Sequence, residues 1–250
     1  MKELLRLINY LNTEENKNKK ILFLTTSNRW VGDNESPKST ILAKEISSKL
    51  REVRIIDVSK LKIHTCEGNV STKRGNTCGI KEALLKDNEK NPHNVIRCWA
   101  SINNKDDEMH KVANAIIESD IVIFFGSIRW GKMNSIYSTL IERLTWIESR
   151  QSTLGESSLL KDKEAGIVIT GHNWRVNENI KLEKEVLSFF DFKTPSELSF
   201  GYQWTEDKLD ETNSGYKKDF KDFLDNYNIN NINESIDKFT IWLKYQLRNI

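Results

Sequence analysis

The most apolar run of the chain is Asp120-Ile121-Val122-Ile123-Phe124-Phe125-Gly126. Its five consecutive apolar side chains are too few to cross a membrane, but they are typical of a strand. A strand that is apolar on both faces belongs inside a parallel sheet covered by other elements. We therefore expect residues 120–126 to form a central strand with helices on both sides.

Strand and helix patterns alternate along the chain on either side of this stretch. Short runs rich in aliphatic and β-branched residues predict strands, at residues 21–26, 53–58, 165–171 and 197–202. Apolar residues spaced by three and four predict helices, at residues 41–50, 109–117, 133–147, 177–190 and 234–247. This alternation with right-handed crossovers predicts an α/β fold, a doubly wound five-stranded parallel sheet of order 2-1-3-4-5.

The chain is expected to form a single domain over residues 1–250. Residues 1–19 are interpreted as an N-terminal helix, 20–203 as the core and 204–250 as a helical C-terminal extension. Residues 61–105 are polar, contain glycine and are too long for an ordinary connection, so we interpret them as an excursion after the second strand.

The charge balance argues against several functional classes. Lys and Arg total 38 and Asp and Glu total 36, which gives a net charge of +2 with the signs interspersed. Such a chain has no broad field for nucleic acid, and its only basic cluster is the short stretch 17–20. We expect neither nucleic-acid nor membrane binding. The absence of a signal-peptide pattern and an odd cysteine count of 3 favour a cytoplasmic location.

The loop after the first strand, residues 27–40, carries the chemistry of a phosphate cup. Ser36 is predicted to cap the following helix and Pro37 to occupy its first position, which would leave the amides of residues 38–40 free to bind an anion. Side chains would add further hydrogen-bond donors to these amides. Arg29 would supply a bidentate cation, and hydroxyls would come from Ser27, Ser39 and Thr40. The alternative interpretation is that these hydroxyls only cap the helix.

A nucleotide-binding P-loop is a sharper alternative for the same loop. Residues 32–39 read G-x-x-x-x-P-K-S, one residue away from the P-loop pattern. Proline at position 37 offers no amide and cannot adopt the positive φ that the second glycine supplies. The sequence therefore disfavours an NTPase.

Two more loops are expected at the same edge of the sheet, where ligands of doubly wound proteins bind. Both contain glycine for close backbone approach and a tryptophan that could cover a planar ring, although a single tryptophan is more often a core or dimer residue. The candidate residues of the second loop are Ser127, Ile128, Arg129, Trp130 and Gly131. Those of the third are Gly171, His172, Asn173 and Trp174.

Together, these motifs resemble those of the NAD(P)H-dependent FMN reductase family of flavodoxin-like proteins, in the branch related to iron-sulfur flavoproteins. Its phosphate loop matches residues 27–29 and 39–40, and its second flavin loop, followed by a helix that ends in Asp-Arg, matches 126–131 and Glu142-Arg143. The sequence departs from the family where Ser127-Ile128 replaces Thr-Pro or Ser-Pro, and where Glu142 replaces Asp.

The resemblance implies a flavodoxin-like fold and FMN as cofactor, with NAD(P)H as cosubstrate. Hydride would pass from the nicotinamide to the flavin N5 and on to a small-molecule acceptor such as a quinone or a flavin, and no catalytic side chain is required. It also implies a homodimer or higher homo-oligomer, joined through the helix at 132–150, whose exposed face is expected to carry Thr145 and Trp146. The alternative function is a flavodoxin-type electron carrier, but such carriers are strongly acidic and this chain is not.

The cysteines lack the spacing of a metal site. Of the cluster motif of the iron-sulfur branch only Cys66 remains, with Asn69 and Thr72 at the next two positions. Three cysteines cannot supply four thiolate ligands, and no C-x-x-C pair indicates zinc. We therefore expect no metal, and interpret Cys66, Cys78 and Cys98 as isolated thiols.

Overall fold

A computed structural model describes residues 2–28, 36–171 and 175–203, and five residues near the C-terminus, Thr240, Leu243, Lys244, Leu247 and Arg248. Its sheet contains five parallel strands, β1 (Ile21–Thr25), β2 (Val53–Asp57), β3 (Ile121–Arg129), β5 (Glu164–Gly171) and β6 (Phe200–Gln203). A sixth strand of two residues, β4 (Lys132–Met133), pairs antiparallel with the end of β3. The order β2-β1-β3-β5-β6 is the predicted one once β4 is set aside.

Six α-helices within residues 2–203 connect and cover these strands. They are α1 (Lys2–Leu11), α2 (Lys38–Ser47), α3 (Trp99–Asn103), α4 (Met109–Glu118), α5 (Ser135–Ser152) and α6 (Val176–Phe189). The helix expected over residues 1–19 stops at Leu11, and turns occupy the rest of that segment. The extension expected over 204–250 lies almost wholly outside the described residues. No helix in the described part of the chain is long and apolar enough to cross a membrane.

The sheet is covered on both faces, as the apolar strands predict. Alternate side chains of β1 point to opposite faces, so that Leu22 and Leu24 join one core and Ile21 and Phe23 join the other. The first core is completed by α4, α5 and α6, and the second by α1, α2 and Leu243 and Leu247 near the C-terminus. This arrangement confirms the doubly wound α/β fold.

The excursion at 61–105 packs against α5. Cys78, Leu85, Ile96 and Cys98 of this segment belong to the same buried core as Leu140 and Leu144 of α5. The contact is close, because a Cβ atom on Gly79 would lie 2.7 Å from the carbonyl oxygen of Trp146. Trp146 is consequently 1% exposed. The expectation that it lies on an open face of α5 is wrong, because the chain's own excursion covers that face.

A buried ion pair fastens α5 to the residues that flank the excursion. Arg143 donates two hydrogen bonds to the Asp107 carboxylate, at 2.7 and 2.8 Å, and a third to the carbonyl oxygen of His64 at 2.7 Å. Both charged side chains are fully buried. Burial alone would raise the pKa of Asp107, but the hydrogen bonds and charge of Arg143 outweigh it and the pKa is lowered. Arg143 is therefore the anchor of this face.

We predict that Asp107→Ala destabilises the fold by about 3–5 kcal/mol, because the substitution leaves the Arg143 guanidinium buried without its counterion. Urea unfolding followed by circular dichroism measures the change. Asp106→Ala is the matched control, since the neighbouring Asp106 pairs with Lys62 and His64 at the surface. The two variants should differ clearly, and equal losses of stability would show that the Arg143 pair is not an anchor.

A second buried acid joins α5 to α6. The Tyr137 hydroxyl donates a 2.9 Å hydrogen bond to Glu183, whose side chain is buried and has no cation beside it among the described residues. Burial raises the pKa of Glu183, and the hydrogen bond from Tyr137 offsets this only in part. Because the pKa of the folded state is above that of the unfolded state, the folded state loses stability as the pH rises through the folded pKa.

We predict that Glu183→Gln stabilises the protein at neutral and alkaline pH, because glutamine keeps an acceptor for Tyr137 and carries no charge. The gain should shrink as the pH falls, and it should be lost below the ordinary pKa of glutamate, where Glu183 is protonated in both the folded and the unfolded state. Thermal unfolding at several pH values should show Tm raised by about 2 °C or more at neutral pH. Glu185→Gln, an exposed change on the same helix, should show no such pattern. A gain that is independent of pH would contradict this explanation.

Candidate functional site

The candidate site lies where β1 and β3 end and α2 begins. Five hydroxyl-bearing residues lie along this edge of the sheet and in the first turn of α2, and we refer to them as the hydroxyl cluster: Thr25, Ser27, Ser39, Thr40 and Ser127. Thr25 pairs with Phe125 across the two strands. Ser27 and Ser127 each follow two residues later in their segments, so they lie at the same level of the sheet. Four of the five were predicted from the sequence. Thr25 was missed, although it ends β1 on the face turned toward α2.

The hydroxyl cluster is buried and unpaired. Thr25, Ser27, Ser39 and Thr40 are each less than 5% exposed. None of the five side-chain oxygens has a hydrogen-bond partner in the described part of the chain. A buried hydroxyl without a partner costs about 1–3 kcal/mol, so five at one edge of the sheet are unusual for a purely structural role. The arrangement fits a bound group with several acceptor oxygens.

The start of α2 differs from the prediction in two respects. Pro37, not Ser36, occupies the N-cap position, and no side chain caps the helix. The amide of Thr40 donates to the carbonyl oxygen of Pro37 at 2.9 Å, so it is not free for an anion as expected. The positive end of the helix dipole nevertheless points toward the hydroxyl cluster. Pro37 has a φ of −56°, which excludes the glycine conformation of a P-loop at this position.

The second loop is a β-hairpin, which the sequence did not predict. β3 continues three residues beyond Gly126, and Arg129 pairs with Lys132. The two residues between them, Trp130 and Gly131, both have positive φ, 51° and 70°, as in a type I′ turn. A positive φ is strained for a bulky aromatic residue. The turn holds the Trp130 side chain 88% exposed at its tip.

Asn134 holds this hairpin against β1. Its side-chain amide donates to the Thr26 hydroxyl at 3.1 Å, and its side-chain oxygen accepts from the Tyr137 amide as the N-cap of α5. Its own amide donates to the carbonyl oxygen of Ser127 at 3.0 Å. Asn179 of α6 adds a 3.0 Å hydrogen bond to the carbonyl oxygen of Gly131. Sequence reasoning did not assign these roles to Asn134 and Asn179, because both depend on contacts between distant segments.

The start of the third loop lies beside the hairpin. A Cβ atom on Gly171, which has a φ of 156°, would lie 3.4 Å from the Cβ of Ile128. The structure thus brings Ser127, Ile128 and Gly171 together, while Arg129 is exposed. The other predicted residues of these loops, Arg29, His172, Asn173 and Trp174, lie outside the described residues.

The three cysteines are free, with Cys78 and Cys98 buried. Burial raises the pKa of Cys78 to about 12, and the fields of the Cys98 and Cys66 thiols contribute to the rise. Within the described ranges, no group of three or more His, Cys, Asp and Glu side chains is placed to hold a metal ion.

We predict that Thr40→Val raises the stability of the ligand-free protein by about 1 kcal/mol, because the substitution removes a buried hydroxyl that has no partner among residues 2–28, 36–171 and 175–203 and keeps the shape of the side chain. Urea unfolding of protein stripped of small molecules measures it. Ser47→Ala is the control on the same helix, since the Ser47 hydroxyl donates to the carbonyl oxygen of Lys44. A clear loss of stability in Thr40→Val would show that this hydroxyl has a structural partner.

Comparison with known proteins gives structural likenesses only. No family model and no curated protein matches the chain. RosB, solved with the bound intermediate 8-demethyl-8-formylriboflavin-5'-phosphate, is similar at a TM-score of 0.53 and 13% identity, over 76% of this chain and 67% of RosB. The azoreductase from Bacillus anthracis str. Sterne is similar at a TM-score of 0.50 and 13% identity, over 91% of this chain and 96% of the other. At such identities the shared property is the fold, and the chain has a flavodoxin-like fold.

Proposed function

We propose that this protein binds FMN and acts as an NAD(P)H-dependent oxidoreductase. The observation that carries the proposal is the hydroxyl cluster, five buried donors that have no partner among the described residues and lie at the edge where ligands of doubly wound sheets bind. A ligand phosphate would give these hydroxyls the acceptor oxygens that the described chain does not provide.

The hydroxyl cluster suits the 5'-phosphate of FMN. A phosphate ester carries three terminal oxygens, each able to accept more than one hydrogen bond, so it can satisfy several hydroxyls at once. Ser39 and Thr40 lie in the first turn of α2, where the helix dipole favours an anion. Ser27 approaches from the end of β1, and we propose Arg29 as the cation that completes the charge balance. In this arrangement the protein binds the phosphate mainly through neutral donors.

The hairpin and the third loop would hold the flavin ring. Backbone groups of residues 127–131 line one side and residues 171–174 are proposed on the other, where Gly171 has no side chain to block close approach. The exposed indole of Trp130 presents a planar surface against which a ring can stack. Because Asn134 and Asn179 fix the hairpin, Trp130 is held in place before a ligand arrives.

Bound FMN would supply the redox chemistry, accepting a hydride from the nicotinamide and passing electrons to a small-molecule acceptor such as a quinone or a free flavin. The residues of this chain would bind and orient the two substrates. Names of similar structures support this type of chemistry, since two are azoreductases and RosB holds a riboflavin phosphate derivative. A net charge of +2 favours the enzyme over an acidic electron carrier of flavodoxin type.

Anaerobic reduction distinguishes these two functions. We predict that the protein reconstituted with FMN loses its flavin absorbance within seconds of adding NADH or NADPH, and that a quinone restores it. Free FMN at the same concentration is the control for reduction in solution. Bound flavin that stays oxidised for minutes with both nucleotides would favour the electron carrier. Failure to bind FMN would contradict both functions.

A further inference from the structure

A second candidate site lies at the opposite edge of the sheet, where the strands begin. A cleft of about 560 Å³ opens there between the end of α1, the turn before β2 and the end of α4, and we call it the basal cleft. Its volume is within the range of small-molecule sites in proteins. About 17 Å, the length of a five-residue strand such as β1, separates it from the hydroxyl cluster. The basal cleft is therefore independent of the proposed flavin site.

The basal cleft is strongly basic in an otherwise balanced protein. Two carboxylates, Glu52 and Glu118, line it. They face five cations, Lys17, Lys19, Lys20, Arg51 and Arg54. A concave surface lined by one sign of charge concentrates the field and attracts ions of the opposite sign. The short basic stretch at 17–20, which the flavin site leaves unexplained, supplies three of these cations.

Neighbouring acids neutralise part of this charge. Three of the five cations form ion pairs. Lys19 lies 3.2 Å from a carboxylate oxygen of Glu164, and Arg54 lies 3.0 Å from one of Glu118. Lys17 pairs with Glu14. Glu118 is shared further with His93, at 2.9 Å. Lys20 and Arg51, by contrast, form no ion pair with the described residues. Among the described residues, two cations, Lys20 and Arg51, and one carboxylate, Glu52, thus remain without an ion pair in the cleft, which leaves a net positive charge there.

Lys20 projects from a backbone that is fixed. Its amide donates to the Asp120 carboxylate at 2.8 Å, and its carbonyl oxygen accepts from the amides of Asp120 and Ile121 at 2.9 and 3.1 Å.

The basal cleft also has an apolar floor, which is formed by Leu11, Ile21 and Leu50. No aromatic side chain belongs to the described lining, so nothing there offers a surface for stacking a nucleobase.

We propose that the basal cleft binds a small organic anion with two or more phosphate groups on an aliphatic or sugar body. The phosphates would pair with Lys20 and Arg51, which can each make charge-assisted hydrogen bonds, and the body would lie on the apolar floor. A long polyanion such as nucleic acid is a poorer fit, because the five cations line one concave cleft of limited volume.

Isothermal titration of the full-length chain with inorganic pyrophosphate tests the phosphate part of the proposal. We expect saturable binding with one site per chain, weakened about tenfold by Lys20→Ala and by Arg51→Ala, since each removes a charge-assisted hydrogen bond. Lys86→Ala removes an exposed charge from the excursion and is the matched control. No saturable binding, or equal losses in all three variants, would overturn the proposal.

The same titration in the presence of saturating FMN separates the two sites. Binding at the basal cleft should be unchanged by FMN, and heat that FMN abolishes would come from the hydroxyl cluster and count against the basal cleft. If the protein binds no FMN, the Lys20 and Arg51 variants still decide the matter. A sugar bisphosphate such as fructose bisphosphate should bind more tightly than pyrophosphate, and binding no tighter would contradict the role of the apolar floor.

Discussion

The parallel pairing of β1 with β3 is the interaction on which the rest of the structure depends. The register Thr25 to Phe125 aligns the carboxyl ends of the two strands, so the loops that follow both must leave the sheet at one edge. Both strands are buried on both faces, which requires helices on either side, and α2 and α5 both begin near that edge before they return the chain to the opposite one. The hydroxyl cluster and the hairpin meet because this pairing leaves their segments no other position.

The proposed site is stabilised less well than its surroundings. Around it, the Asp107 carboxylate is paired with Arg143, and the Asn134 side chain makes hydrogen bonds to Thr26 and Tyr137. Within it, five buried hydroxyls find no partner in the part of the chain that the structure describes, at a cost that a bound phosphate would remove. Ligand binding and folding are thus linked, because a ligand that binds only the folded state stabilises it. The well-packed face of α5, covered by the excursion, provides the stability that such a site needs.

The sequence predicted the strands, their order and most of the hydroxyl cluster, because these follow from local patterns of apolar residues and from the edge at which parallel strands end. It did not predict the hairpin, since a Trp-Gly turn lacks the usual Asn-Gly or Asp-Gly signal. The burial of Trp146 was missed because it depends on Gly79, far away along the chain. The Arg143 pair with Asp107 joins residues 36 positions apart, and no local pattern reports such a contact.

Comparing the affinities of FMN and riboflavin is the most direct test of the central claim that the hydroxyl cluster binds a phosphate. The two ligands share the ring and the ribityl chain and differ only in the phosphate. Titration of the apoprotein should give at least about a tenfold tighter dissociation constant for FMN, the equivalent of one charge-assisted hydrogen bond or more. Thr40→Val should bring the two dissociation constants closer together, because it should weaken the binding of FMN and leave the binding of riboflavin unchanged. Equal affinities for FMN and riboflavin in the unmodified protein would contradict the account.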